Sequence, residues 1–272
     1  MEIIFDIGGT QTRIATVRSA TEFSEPVMYL TPKNYEEGIG AFKKAIHVLV
    51  DGKVVTKVAG GFAGTISVSK QIVDAPNLPD WVQKPFVLDL MQEFPEATMY
   101  LENDAAMVGL GEALVGAGAG FEVVAYITVS TGVGGARIVN GEIDRVAQSF
   151  EIGKQIIEPY NESLESLIGG RSLETKLGKK PESVTDENFW NEKSMILASG
   201  LQVVIEKWNP DVVVIGGAMI HTVGINVSKV EKYLSESLES LPVIKNATLK
   251  SLGGLAGSLA YLNHKNRIDF LK

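Results

Sequence analysis

The feature that most constrains this chain is a pattern that occurs twice: an apolar run, a glycine-rich turn, and a second apolar run. It opens at residues 2–7 and 12–17 around Gly8-Gly9-Thr10-Gln11. It recurs at Val123–Thr128 and Ala136–Val139 around Ser130-Thr131-Gly132-Val133-Gly134-Gly135. Apolar runs that bracket glycine in this way read as tight hairpins. Both second runs carry Arg-Ile, at Arg13-Ile14 and Arg137-Ile138, and the offset (137 − 13 = 124) is close to half of the 272 residues. Self-similarity at that spacing is what an internally duplicated fold produces. Two α/β lobes are therefore expected, over residues 1–117 and 118–272, with Gly116-Ala117-Gly118-Ala119-Gly120 as the hinge. A small-residue helix at about 253–264 is a candidate to pack back on the N-terminal lobe.

The intervening segments fit that frame. Ile39, Phe42, Ala45, Ile46 and Leu49 recur at helical spacing and predict an amphipathic helix over 35–50. Val54 to Ala59 reads as a strand that runs into Gly60-Gly61-Phe62-Ala63-Gly64. Pro76-Asn77-Leu78-Pro79-Asp80 is a loop by its turn chemistry. Helices are expected at Phe86–Phe94, with Asp89 and Glu93 facing water, and from Asn103-Asp104 through Leu114 after a short strand at Thr98–Leu101. Further on, Leu197–Trp208 reads as a buried helix and Val212–Ile215 as an interior strand closed by Gly216-Gly217. The polar stretch 176–193 reads as a surface excursion.

Composition narrows the function classes. Lys and Arg number 25 against 33 Asp and Glu, a net charge of −8, so neither nucleic acid nor an anionic membrane is an expected partner. Cysteine is absent, which excludes disulfides, thiol catalysis and every thiolate zinc site. No apolar run reaches the ~18 residues of a spanning helix. The opening residues lack a basic and apolar leader pattern, so a cytoplasmic location is expected. His47, His221 and His264 are scattered and read as surface residues. Trp208 lies on an apolar helical stripe and reads as core, whereas Trp81 is a candidate for the edge of a pocket.

Three glycine-rich turns follow apolar strands: Asp6-Ile7-Gly8-Gly9-Thr10, Ser130 to Gly135, and Gly216-Gly217-Ala218-Met219. Glycine lets a backbone approach an anion closely and aim its amides at phosphate oxygens. Three such turns suggest a nucleotide between the lobes. The P-loop, dinucleotide-fold and serine-hydrolase signatures are absent. Asp6 reads either as a turn aspartate satisfying nearby amides or as a carboxylate that holds Mg²⁺ through water. Asp104 reads either as a helix cap or as the base that accepts the proton of an attacking hydroxyl, with Asn103 orienting a second hydroxyl. A helix N-terminus would favour its ionised form.

Taken in order, Asp6-x-Gly-Gly-Thr-x-Thr12, Glu102-Asn-Asp-Ala-Ala106, Ser130-Thr-Gly-Val-Gly-Gly135, Asn140-Gly141, Glu151-Ile-Gly153 and Val214-Ile-Gly-Gly217 resemble the ROK (repressor, open reading frame, kinase) family. That family is the sugar-kinase branch of the actin, hexokinase and heat-shock-chaperone superfamily. The resemblance implies two ribonuclease H-like lobes with a nucleotide and sugar cleft between them. It puts Asp6, Gly8, Gly9, Thr10 and Thr12 at the metal and triphosphate end. Thr131, Gly132, Gly134 and Gly135 would meet phosphates, and Gly216 and Gly217 would lie near adenosine. Asp104 matches the general base and Asn103, Glu151 and Glu165 match sugar ligands. The 61–64 segment, with Ala63 and Gly64, matches the substrate loop, and Asn77 lies in the loop that follows it.

Two positions depart from that pattern. Lys154 stands where many members have a histidine that contacts sugar and anchors zinc. Asn161-Glu162-Ser163-Leu164-Glu165 replaces the Cys-rich zinc motif, so no zinc is expected. Lys154 is left to donate to a hydroxyl, to pair with Glu151 and Glu165, or to point outward. The resemblance thus implies an ATP- and Mg²⁺-dependent kinase acting on a hexose or hexose derivative, with a homodimer as a candidate assembly. The alternatives are a non-catalytic sugar sensor of the same fold and a kinase for a non-sugar acceptor. DNA-binding members carry a segment ahead of the Asp-x-Gly-Gly-Thr region, whereas Asp6 is six residues from the start here.

Overall fold

The computed structural model describes residues 1–67, 70–147 and 150–270, with the side chains of 222, 223 and 266–270 outside that description. The chain forms two compact units, Met1–Gly111 together with Ser251–Lys272, and Glu112–Lys250.

In the first unit the strands are β1 (Glu2–Ile7), β2 (Gln11–Thr16), β3 (Val27–Leu30), β4 (Lys57–Phe62), the small pair β5 (Thr65–Ile66) and β6 (Ile72–Asp74), and β7 (Thr98–Asn103). The main sheet has the order β3-β2-β1-β4-β7. Its helices are α1 (Tyr35–Val50), α2 (Phe86–Glu93), α3 (Asp104–Val115), whose last turn lies in the second unit, and α8 (Gly253–Phe270). Helix α1 starts where it does because the Asn34 side chain accepts the Glu37 amide, and it stops where Asp51 turns left-handed. The period-2 alternation of the strands separates two faces. Ile3, Phe5, Ile7, Ile14, Val58 and Phe62 pack with Phe42, Ile46, Phe86 and Leu90 of α1 and α2. Ile4, Ala15 and Ala59, on the other face, pack with Leu255, Leu259 and Leu262 of α8.

The second unit contains β8 (Val123–Val129), β9 (Val133–Val139), β10 (Glu142–Ile143), β11 (Ile156–Ile157), β12 (Glu162–Ser163), α4 (Leu164–Ile168), α5 (Gly170–Leu177), α6 (Glu187–Trp208), β13 (Val212–Gly216), α7 (Val227–Ser237) and β14 (Val243–Asn246). Its sheet order, β10-β9-β8-β13-β14, repeats that of the first unit strand for strand, with the same parallel and antiparallel pairings. The duplicated α/β architecture is thus present in the topology.

The Arg-Ile marker is not part of it. Arg13 pairs with Asp6, one step in from the turn-closing pair Ile7 and Thr12. Arg137 pairs with Ala125, four steps in from the closing pair Val129 and Val133, and Gly134 holds the position that corresponds to Arg13. The repeat lives in the hairpin and its glycine turn, and the dipeptide recurs by coincidence.

Two further expectations change. Trp81 lies within the core. It is 1% exposed, donates from Nε1 to the Pro32 carbonyl, and packs so closely under Gly38 that a Cβ there would sit 2.2 Å from its ring. The 176–193 stretch is not all surface. Asp186 accepts the Asn188 amide and starts α6 at Glu187, so Trp190 and Lys193 are already buried.

Candidate active site

In the first unit β1, β4 and β7 run parallel, so their carboxyl ends, Ile7, Phe62 and Asn103, lie along one edge of the sheet. That edge is where open α/β sheets take ligands, because the strand-to-helix turns diverge there. One residue in from it, the register lines up Arg13, Asp6, Gly61 and Glu102 across four strands.

Asp6 is buried on the α8 face, and the guanidinium of Arg13 stands 3.2 Å from its Oδ2. Burial pushes the Asp6 carboxyl up and Arg13 pulls it back in part. Glycines make the room around it. A Cβ on Gly254, at the start of α8, would sit 2.5 Å from Asp6 Cγ, and one on Gly61 would sit 2.9 Å from Asp104 Cα. Side chains at either place would displace backbone or the carboxylate itself.

Asp104 is the first residue of α3. Its carboxyl is pushed up to about 7, first by burial and second by the charge of Asp6, which acts on it within this unit. The helix N-terminus does act as expected, since Ala105 N–H donates to Oδ1 at 2.9 Å, but burial and the neighbouring charge outweigh it. The helix cap is Asn103, whose Oδ1 accepts the Ala106 amide at 3.3 Å while its Nδ2 donates to the Gly64 carbonyl. A carboxamide has two N–H donors, so one is left for a ligand hydroxyl.

The glycine turn is tied down on its carbonyl side. Gly8 O accepts from the Thr31 hydroxyl at 2.8 Å, Thr10 O accepts the Thr31 amide at 2.9 Å, and Gly9 O accepts Lys33 Nζ at 2.6 Å. The same ammonium reaches the Asn77 carbonyl at 3.1 Å, and a Cβ on Gly9 would meet Asn77 Cβ at 2.4 Å, so the 76–80 loop is seated on the turn. Ala63 N–H donates to Ile7 O at 2.8 Å, joining the ends of β1 and β4. Thr12 is not brought to this group. It pairs with Ile7 on the opposite face from Asp6, is 2% exposed, and shares its hydroxyl with Thr31 at 2.9 Å.

In the second unit β8 and β13 are parallel and end at Val129 and Gly216, with Gly216 opposite Thr128, so Ser130 and Gly217 follow directly after the two strands. Gly217 has φ +101°, and a Cβ there would sit 2.2 Å from the Val129 carbonyl, so only glycine lets the two strand ends meet so closely. The turn at Thr131 and Gly132 is anchored from below. Gly170 and Arg171 at the start of α5 donate to the Ser130 and Thr131 carbonyls at 2.8 and 3.0 Å. Glu165, expected as a sugar ligand, accepts the Val133 amide through Oε2 at 2.8 Å and abuts Gly132, so one of its oxygens belongs to this turn. Gly134 and Gly135 lie within β9. The space a side chain would need at Gly135 is filled by Ile127 and Tyr126, and at Gly216 by Ala247, which accounts for both glycines by packing. Glu151 is exposed and pairs with Lys154 at 2.8 Å.

Two contributors were missed in the sequence: Arg13 and Lys33. The first was legible, because a hairpin closed at Gly8–Thr10 puts residue 13 across from residue 6. The carbonyl contacts of Lys33 are long-range and leave no local pattern.

Comparison with known proteins bears on the whole chain. An uncharacterized protein of Clostridium perfringens is 25% identical over 98% of both chains. A glucokinase of Thermotoga maritima is 30% identical over 57% of this chain and 50% of its own length, so the match spans about half of that relative. The solved ROK family glucokinase of Streptomyces griseus, in complex with glucose and AMPPNP, superimposes with a TM-score of 0.78 over 97% of this chain and 98% of its own, at 20% identity. The sequence model of one family matches residues 3–265, and with it the order of the motifs and the duplicated sheets have one explanation: the chain belongs to the ROK family.

Proposed function

We propose that the protein is an ATP-dependent kinase that phosphorylates a hydroxyl of a hexose or hexose derivative. The observation that carries this reading is the pair of aspartates at the edge of the first unit, one beside the glycine turn and one at the head of α3. A base must be ionised at the working pH yet basic enough to take a proton, and a carboxyl near 7 meets both demands. Asp104 accepts the proton of the attacking hydroxyl, Asn103 orients the sugar through its remaining N–H, and the 61–64 and 76–80 segments wall the sugar. Lys154, paired with Glu151, contributes to the choice of sugar in place of the family histidine.

Asp6 suits a magnesium ion held through water. Its Oδ2 takes the Arg13 bond, its Oδ1 accepts no hydrogen bond among the described residues, and Gly254 leaves the carboxylate uncovered by any side chain at that position. A single carboxylate is an ordinary protein contribution to a magnesium site, the rest being water and phosphate oxygens. Such an ion neutralises charge on the transferring phosphoryl group. The Thr131-Gly132 turn and the Gly217 corner offer backbone to the nucleotide. The Thermotoga glucokinase and the AMPPNP in the Streptomyces structure support the donor and the acceptor class.

The test is Asp104→Asn with a panel of hexoses, N-acetylhexosamines and small carboxylic acids, following ADP release and sugar binding by calorimetry. The variant should keep its fold and sugar affinity and lose about 10²–10⁴ in kcat. A near-normal kcat removes Asp104 from the role of base. A wild-type protein that binds sugar and releases no ADP is a sensor and overturns the kinase reading.

A further inference from the structure

Arg13 sits at the metal side of the site without a role in the reaction described so far. Its guanidinium is shared between two partners: Nη1 donates to Asp6 Oδ2 at 3.2 Å and Nη2 to Gln11 Oε1 at 2.6 Å. The third nitrogen, Nε, is buried and has no hydrogen-bond partner among the described residues. A buried N–H without an acceptor costs free energy, and native proteins keep few of them. The other two nitrogens of the guanidinium are the ones that tie the side chain to Asp6 and to Gln11. The pairing also decides which oxygen of Asp6 is spent, Oδ2 being engaged and Oδ1 left open.

We infer that Arg13 is a positioning residue for phosphoryl transfer, holding Asp6 so that Oδ1 is the oxygen presented to the hydrated divalent cation, with Gln11 as its outer support. The inference rests on the kinase reading for its reaction and on the geometry of Asp6 for its cation. Groups that orient a metal-side carboxylate act at one remove, and their loss costs about 10–100-fold in metal affinity or activity.

The experiment compares wild type with Arg13→Met, Arg13→Lys and Gln11→Ala. Calorimetry gives the Kd for ATP with magnesium and with EDTA, and the Kd for the sugar that the wild type turns over. Arg13→Met should lose about tenfold of the affinity that magnesium adds, leaving metal-free ATP and sugar binding unchanged, with kcat falling by a similar factor. Arg13→Lys should recover part of it. Gln11→Ala, at an exposed position that folding tolerates, should show a smaller loss in the same direction and decides the matter if Arg13→Met does not fold. Equal losses for metal-free ATP, magnesium-ATP and sugar mean a purely structural role and overturn the inference, as does an unchanged magnesium gain in the variants. A wild type with that gain but no turnover overturns the kinase reading alone, since the binding arm still judges Arg13.

Discussion

A carboxylate at the head of a helix is ordinarily held ionised by the amides it faces. Asp104 is an exception because it is buried and has a second carboxylate for company. The consequence for stability has a definite sign. Folding raises its pKa from 3.8 to about 7, so its favourable contribution is complete below about pH 4 and is lost as the pH rises toward 7. Above that, the folded protein carries a buried charge that the unfolded chain holds in water. Asp104→Asn removes the charge, so in metal-free buffer at pH 8 the variant should melt higher than wild type by at least about 2 °C. The gap should close on going down to pH 4, and a gap that does not depend on pH would show that burial of this charge is not the cause. At this scale the sequence exposes the two aspartates through their glycine neighbours and their strand-end positions. It hides the fate of Thr12 and Trp81, since both depend on which side of a sheet a residue faces and on what packs there. Thr12 is one residue out of phase with Asp6 across the hairpin, and that single step sends it into the opposite core.

Elements meet at glycines in the site, and this is where small changes have large effects. Gly61 lets β4 lie against the first turn of α3, with only 2.9 Å between the place of a Cβ and Asp104 Cα. Gly61→Ala must therefore shift backbone, since the nearest atom is Asp104 Cα and movement of the Met107 side chain, at 3.2 Å, cannot relieve that contact. If Asp104 is the base, as proposed above, steady-state kinetics should show a loss of about 10²-fold in kcat from its displacement by about 1 Å, with the circular dichroism spectrum retained. An alanine variant with normal turnover would mean that α3 is free to adjust. Most elements were legible: the hairpins from glycine between apolar runs, α1 from its spacing, β13 from its run of Val and Ile. The start of α6 was not. Its first turns, Glu187 to Lys193, are polar in composition, and only the Asp186 cap and the burial of Trp190 reveal that the helix has begun. The Arg-Ile pair misled in the other direction, a local coincidence that mimicked a register which the pairing does not have.

At the scale of the molecule, the chain passes from one unit to the other at Gly111–Glu112 and returns at Lys250–Ser251. Glu112 links the segments that adjoin the two passages. Glu112 is fully buried, accepts the Thr248 and Leu249 amides through Oε1 at 2.9 and 2.8 Å, and accepts the Ala117 amide through Oε2 at 2.8 Å. Its removal strands three amides, so Glu112→Ala should lower stability by about 3 kcal/mol or more in chemical denaturation, and Glu112→Gln by less. A loss below about 1 kcal/mol would mean that water replaces the carboxylate. The duplicated plan was legible in the sequence. This clasp was not, because its partners lie far along the chain and carry no motif.

The contribution of α8 to the first unit has a consequence for biosynthesis. Ile4, Ala15 and Ala59 are covered by Leu255, Leu259 and Leu262, and Asp6 is flanked by Gly254, so the first sheet emerges from the ribosome with one oily side bare. At ~5–20 residues per second, the roughly 140 residues of the second unit take about 7–30 s to be made before the covering helix arrives. For that interval this face of the sheet stays uncovered, and the Asp6 carboxylate is among the last parts of the protein to be walled in.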